Sequence, residues 1–163
     1  MPIRRYIEHE IPPSLHVSIA QIRNECFPEA KIDRSYAKQL PHFRYLAFDQ
    51  DQLVGQMGVD HRMISVGSEV LSIFGIIDLC VTEPSRGHGF ASTMIHEVTQ
   101  LAEAAKSDFL FLIADDHRIY IKNGFQSISP FVSWMRIDEH RNYGVVVERL
   151  EDEVMIKQIG AKM

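Results

Sequence analysis

The chain has 163 residues, 45% of them hydrophobic and 24% charged, with a formal net charge of −5. That length suits one domain with a sizeable buried core, and the composition is that of an ordinary globular protein rather than a disordered or membrane-spanning one. The acidic balance lacks the basic footprint of a nucleic-acid binder, so no nucleic-acid partner is expected.

The longest apolar stretch, Val70 to Val81, carries Ser72 and Asp78 and is too short to cross a bilayer. The opening "MPIRRYIEHEIPPS" has charges but no apolar signal core, which predicts a cytoplasmic protein with no membrane partner. Cys26 and Cys80 have neither metal-ligand spacing nor a disulfide framework, and Cys80 reads as a small buried hydrophobe. The eight histidines form no HExxH-like pairing, so no metal is expected.

In chain order, Ile3 to Glu8 suits a first strand. Pro12-Pro13-Ser14 then starts a helix with Ser14 as N-cap, and Leu15, Ile19, Ile22 and Cys26 recur at helical spacing until Pro28 ends the run. A short second helix is expected over Asp33 to Gln39. Phe43 to Phe48 and Leu53 to Val66 read as a hairpin around Asp49-Gln50-Asp51, with Gly55 and Gly58 marking a bulge or a close backbone approach. After a turn at Gly67-Ser68, Val70 to Val81 is apolar at nearly every position, as a central strand covered on both faces would be.

Next comes "EPSRGHG", followed at once by an apolar stripe at helical spacing: Ala91, Met94, Ile95, Val98, Leu101, Ala102, Ala105. "FLFLIA" (Phe109 to Ala114) is another buried strand, which completes a parallel crossover unit. A brief helix is expected over Asp116 to Lys122, with Asp116 as N-cap and Gly124 in the left-handed position after it. Phe131 to Ile137, Val145 to Arg149 and Val154 to Ile159 read as closing strands. The whole predicts a single α/β domain, residues 1–163, with one mixed central sheet flanked by helices.

A strand that ends in a glycine loop and opens a helix is suited to holding an anion. The first helical turn has N–H groups without partners, the helix dipole favours negative charge there, and glycines let the main chain come close. Neither the dinucleotide pattern G-x-G-x-x-G nor a P-loop is present.

"RGHGFA" does match Arg/Gln-x-x-Gly-x-Gly/Ala, with Arg86, Gly89 and Ala91 in the three defined places. In this it resembles the pyrophosphate-binding signature of the GNAT superfamily of N-acetyltransferases. "IYIKNGF" (Ile119 to Phe125) is similar to the same superfamily's aromatic-Tyr-x-x-x-Gly-Phe segment, with Tyr120, Gly124 and Phe125 in register. The order of elements agrees along most of the chain. One departure is Asp115-Asp116-His117, where the superfamily often carries an Asn. The closing strands look like the branch of aminoglycoside 2′-N-acetyltransferases and nodulation acyltransferases.

The resemblance implies acetyl-CoA as co-substrate and a small-molecule primary amine as acceptor. It implies pyrophosphate binding by the segment Arg86, Gly87, His88, Gly89, Phe90, Ala91 and Ser92. The pantetheine arm would run along Leu79, Cys80 and Val81, pairing with main-chain groups of Leu79 and Val81 where this strand parts from "FLFLIA". It implies Tyr120 as the acid that protonates the departing thiolate.

Asp78 is a candidate base because a carboxylate interrupts an apolar strand. Glu83, just past the strand end, is a second candidate, and Asp60-His61 a third. Trp134 and Met135 read as core or cleft wall. A non-catalytic acyl-CoA sensor on the same scaffold is the alternative, and edge strands near the C-terminal end make a homodimer conceivable.

Overall fold

The computed structural model describes residues 2–161. Strands β1 (Ile3–Ile7), β2 (Phe43–Asp49), β3 (Gln52–Val66) and β4 (Glu69–Val81) form an antiparallel run. β4 then pairs in parallel with β5 (Phe109–Ile113), and β9 (Val154–Gln158) lies antiparallel between β5 and β6 (Gln126–Ile128). The resulting sheet has seven strands in the order β1-β2-β3-β4-β5-β9-β6.

Helices α1 (Pro13–Cys26) and α2 (Phe90–Ala104) cover opposite faces of this sheet. Strand alternation decides which residues each meets. Leu46, Phe48 and Cys80 join Ile19 and Ile22 of α1. Tyr45, Ala47 and Val81 join Met94, Ile95, Val98 and Ala102 of α2, four residues fully buried at the spacing of one helix face. Each large aliphatic side chain so buried contributes about 1.5–3 kcal/mol.

The predicted helix over Asp33 to Gln39 is not formed; that stretch is irregular chain. Tertiary bonds fix its shape instead. Asn24 Nδ2 donates to Ile32 O at 2.7 Å and its Oδ1 accepts from Ile32 N at 3.0 Å, while Ser35 Oγ meets His16 Nδ1 at 2.8 Å. Farther along, Arg34 Nη2 donates to Glu139 at 2.8 Å and Tyr36 Oη bonds His140 at 3.0 Å. Those two bonds tie the segment to the turn at Glu139-His140, far along the chain.

Three smaller expectations also change. Pro12, not Ser14, is the N-cap of α1, because Pro13 takes the first helical position, where a missing N–H costs nothing. Helix α3 (Arg118–Lys122) begins two residues later than expected, with His117 at its cap; Asp116 Oδ1 still accepts the Arg118 N–H at 3.0 Å. And the closing strands do not all join one sheet: β7 (Phe131–Asp138) and β8 (Arg141–Arg149) make a separate two-stranded ribbon. The pairing of Phe131 with Arg149 and Met135 with Val145 puts an outward apolar row on that ribbon, so Met135 is exposed rather than part of a core.

Candidate active site

Two departures from regular pairing open the site. The first is a bulge in β4. Gln56 pairs with Cys80 and Gly58 with Ile77, so Asp78 and Leu79 together oppose the single residue Met57. Asp78 is the strained member, with φ +49, a conformation that Asp tolerates better than most residues. The two glycines of β3 flank this point. A Cβ at Gly55 would meet Cys80 O at 3.0 Å, so the strands approach too closely there for a side chain.

Polar side chains hold the bulge from the face that α1 covers. Arg23, buried on α1, donates from Nε to Asp78 Oδ2 at 2.8 Å and from Nη1 to Ala30 O at 2.7 Å. From β3, Gln56 Nε2 donates to the Asp78 carbonyl, and Gln56 Oε1 accepts from Arg44 Nη1 at 2.9 Å. Arg44, 1% exposed, closes the network with two bonds to Glu8 at 2.8 and 2.9 Å. Arg23 was not singled out in the sequence, although its place four residues after Ile19 puts it on the apolar stripe of α1.

The second departure is the parting of β4 and β5. They pair only at Ile73–Phe109, Phe74–Leu110 and Gly75–Phe111. Beyond Gly75, β4 runs on to Val81 while β5 stays with β9 as far as Ile113. A cleft of about 850 Å³ opens there. Asp78 to Val81 line one wall, Ile113 to Asp116 the other, and the loop before α2 closes the end.

That loop is shaped for an anion. Gly87 and Gly89 have φ +79 and +85, and a Cβ on Gly87 would project into open space. Gly89 is the N-cap of α2, no side chain caps that helix, and its first turn has no acidic residue. The amides that begin α2 therefore keep their donor capacity for a ligand. Arg86 turns back, its Nε donating to Val81 O at 3.1 Å, and still lines the cleft. His88 is exposed with its ring beside Ser85 O, and Phe90 is buried in the core, so each offers only main chain.

Tyr120 stands on α3 in the same cleft, 9% exposed, edge-to-face with Phe125 at 5.7 Å between ring centroids. Burial, helped by the nearby Asp116 carboxylate, pushes its hydroxyl up to about 12. Asp116 itself, at the cleft mouth, is held down to about 2 by the Arg118 guanidinium. Asn123 then links α3 to α2, donating from Nδ2 to Ser92 Oγ at 3.2 Å and to Ile119 O at 2.8 Å.

Of the candidate bases, Asp78 lines the cleft with its carboxylate on Arg23. Glu83 is exposed in a 3-10 turn (Glu83–Ser85) and is not part of the cleft wall. Asp60 and His61 lie farther back along β3, opposite Gly75 and Phe74, with Asp60 Oδ2 bound by Arg62 at 2.6 Å.

A sequence profile of the family described as "Acetyltransferase (GNAT) domain" matches residues 9–128, more than half of the chain. The chain belongs to the GNAT acetyltransferase family. The profile spans the glycine loop and Tyr120 and stops before β7, β8 and β9. No curated protein sequence matches.

The GNAT fold is shared with several solved structures at low identity. Eis1 from Mycobacterium abscessus aligns at 14% identity and TM-score 0.68 over 80% of this chain and 33% of its own. The chain thus spans about a third of that protein's length. An aminoglycoside 6′-N-acetyltransferase complexed with coenzyme A aligns at 14% identity and TM-score 0.65, over 100% of this chain and 99% of that one. ElaA from Escherichia coli gives 15% identity, TM-score 0.63 and coverage of 96% and 99%. Among the described residues no helix is long and apolar enough to cross a membrane, and no His, Cys, Asp or Glu group has the arrangement of a metal site.

Proposed function

We propose that this GNAT domain transfers an acetyl group from acetyl-CoA to the primary amine of a small molecule, with Tyr120 as the general acid. The observation that carries this reading is the coincidence of three features in one cleft. These are the parted β4 and β5, the uncapped glycine N-terminus of α2, and a buried tyrosine whose proton is firmly held. The coenzyme A complex of the aminoglycoside acetyltransferase of the same fold supports it further.

In this reading the main chain of Leu79 and Val81 pairs with the pantetheine amides and thereby takes the place of a β-ladder that β5 does not supply. The amides from Gly87 to Ser92 hold the pyrophosphate, and Gly87 and Gly89 let it approach. Acetyl-CoA supplies an activated thioester carbonyl. Tyr120 keeps its proton at Oη through neutral pH and delivers it to the departing sulfur.

Asp78 serves as a positioning residue: its ion pair with Arg23 fixes the bulge that aims Leu79 and Val81 at the cleft. The acceptor amine then loses its own proton to solvent before attack. For a lysine-like amine this costs about 4.6 kcal/mol at pH 7, so amines of lower pKa are the better substrates.

The test is thiol release from acetyl-CoA across a panel of small amines. Amine-dependent release, faster for amines of lower pKa, is expected. Tight acetyl-CoA binding with no amine-dependent thiol would replace the enzyme with a sensor.

A further inference from the structure

Cys26 closes α1 and Cys80 sits on β4, yet both line the one cleft. Both are free thiols, and Cys26 packs against the buried cluster that contains Cys80. The two side chains therefore share one wall of the cleft and one packing cluster. Their surroundings are polar for a strand interior. Cys26 Sγ donates to Val81 O at 3.4 Å, Arg86 Nε donates to the same oxygen at 3.1 Å, and Gln56 Nε2 reaches Cys80 Sγ at 3.8 Å.

The pair is asymmetric. Hydrogen bonding from the Cys80 thiol, helped by the Arg86 guanidinium and opposed by burial and Glu25, takes Cys26 down to about 6. The Cys26 neighbour and burial push Cys80 up, so it keeps its proton. Cys26, the less covered of the two, thus stands at the cleft as the more readily ionised thiol, with the buried Cys80 behind it, the arrangement of an attacking and a resolving cysteine.

We propose that Cys26 and Cys80 form an oxidisable dithiol site in the cleft wall, in which Cys26 reacts with a hydroperoxide and Cys80 resolves the product to a disulfide. In the first step Cys26 gives up its thiol proton and its sulfur attacks the terminal peroxide oxygen. An S–O bond forms, the O–O bond breaks, and the alkoxide or hydroxide leaves and picks up a proton. In the second, Cys80 sulfur attacks the Cys26 sulfenic acid. An S–S bond forms, the S–O bond breaks, and hydroxide departs with the Cys80 proton as water. Two thiols are oxidised, and one hydroperoxide is reduced to an alcohol and one water, or to two waters where it is hydrogen peroxide.

The site stands on the placement of the two thiols in the cleft wall; only its protection by a ligand rests on the acetyl-CoA reading. The reduced full-length chain is treated with hydrogen peroxide at pH 7, alkylated under denaturing conditions and mapped by peptide mass without reduction. The expected product is a linked pair of peptides carrying Cys26 and Cys80, two hydrogens lighter than the thiols and separated by dithiothreitol. In Cys80→Ser, Cys26 should stop at a sulfenic acid that dimedone traps.

Oxidation of Cys26 to a sulfinic acid without the linked pair would overturn the proposal. So would two intact thiols at an exposure that oxidises glutathione in the same tube. The wild-type map decides this even if Cys80→Ser fails to fold. Saturating acetyl-CoA should slow disulfide formation severalfold. A disulfide that forms unimpeded would support the dithiol and count against acetyl-CoA in this cleft.

Discussion

Asn123 Nδ2 donates to Ser92 Oγ across 3.2 Å, and so ties the residue before Gly124-Phe125 to the first turn of α2. The bond joins residues 31 positions apart and makes the two sequence motifs one physical unit: the tyrosine segment braces the end of the glycine loop. A side-chain bond of this kind contributes about 0.5–1.5 kcal/mol. Asn123→Ala is expected to lower unfolding stability by about 1–2 kcal/mol, because the Ile119 carbonyl loses its partner as well. In a double-mutant cycle with Ser92→Ala, read by denaturant titration, the two effects should fall short of additive.

Tyr120→Phe keeps the ring and its contact with Phe125 while removing the acidic proton. Turnover should drop roughly 10²–10⁴-fold, with acetyl-CoA affinity little changed in calorimetry. Because the hydroxyl sits at about 12, its acid form persists as pH rises. The wild-type rate should therefore show no descending limb from this group between pH 7 and 10, and a fall in that range would remove Tyr120 from the mechanism.

Gly89→Ala forces a Cβ onto φ +85 at the N-cap of α2. The strain is expected to cost about 1–2 kcal/mol. Acetyl-CoA affinity should fall more than stability does, since the same amides are the proposed pyrophosphate seat. Equal losses in the two measurements, binding and denaturation, would mean that the loop only turns the chain.

Arg23→Ala leaves the Asp78 carboxylate without its cation on a side chain that is 19% exposed, while Arg23 itself is 5% exposed. Breaking so covered a pair is expected to cost about 3–5 kcal/mol. Asp78→Asn should cost less, as Asn still accepts a bond from Arg23 and tolerates positive φ. Thermal denaturation of the two variants side by side checks the order.

The fold was readable wherever periodicity was strong. The stripe of α2, the apolar run of β4 and the hairpin of β2 and β3 gave elements within a few residues of those formed. It failed where side chains from distant parts set the path. The Asp33 to Gln39 segment is shaped by Asn24, His16, Glu139 and His140, none of them adjacent in sequence. Three-residue β6 carries too little pattern to register, and no local signal separates β7 and β8 from the main sheet.

At the site, Asp78 was visible as a misplaced charge, but its bulge and its tie to Arg23 needed strand register and a helix 55 residues away. Cys26 read as the end of a helical stripe, and its meeting with Cys80 appears only once α1 lies across the sheet.

The three-rung ladder between β4 and β5 has an energetic corollary. From Ile76 onward β4 has one partner strand where a central strand ordinarily has two. Whatever enters the cleft and satisfies that free edge acts as a guest strand, so occupancy and folding become linked equilibria. A ligand bound only by the folded chain adds RT ln(1 + [L]/Kd), or about 2.7 kcal/mol at a hundredfold excess over Kd. The melting temperature of this domain should thus climb with the concentration of its own co-substrate, and the height of that climb is a direct reading of how well the guest completes the sheet.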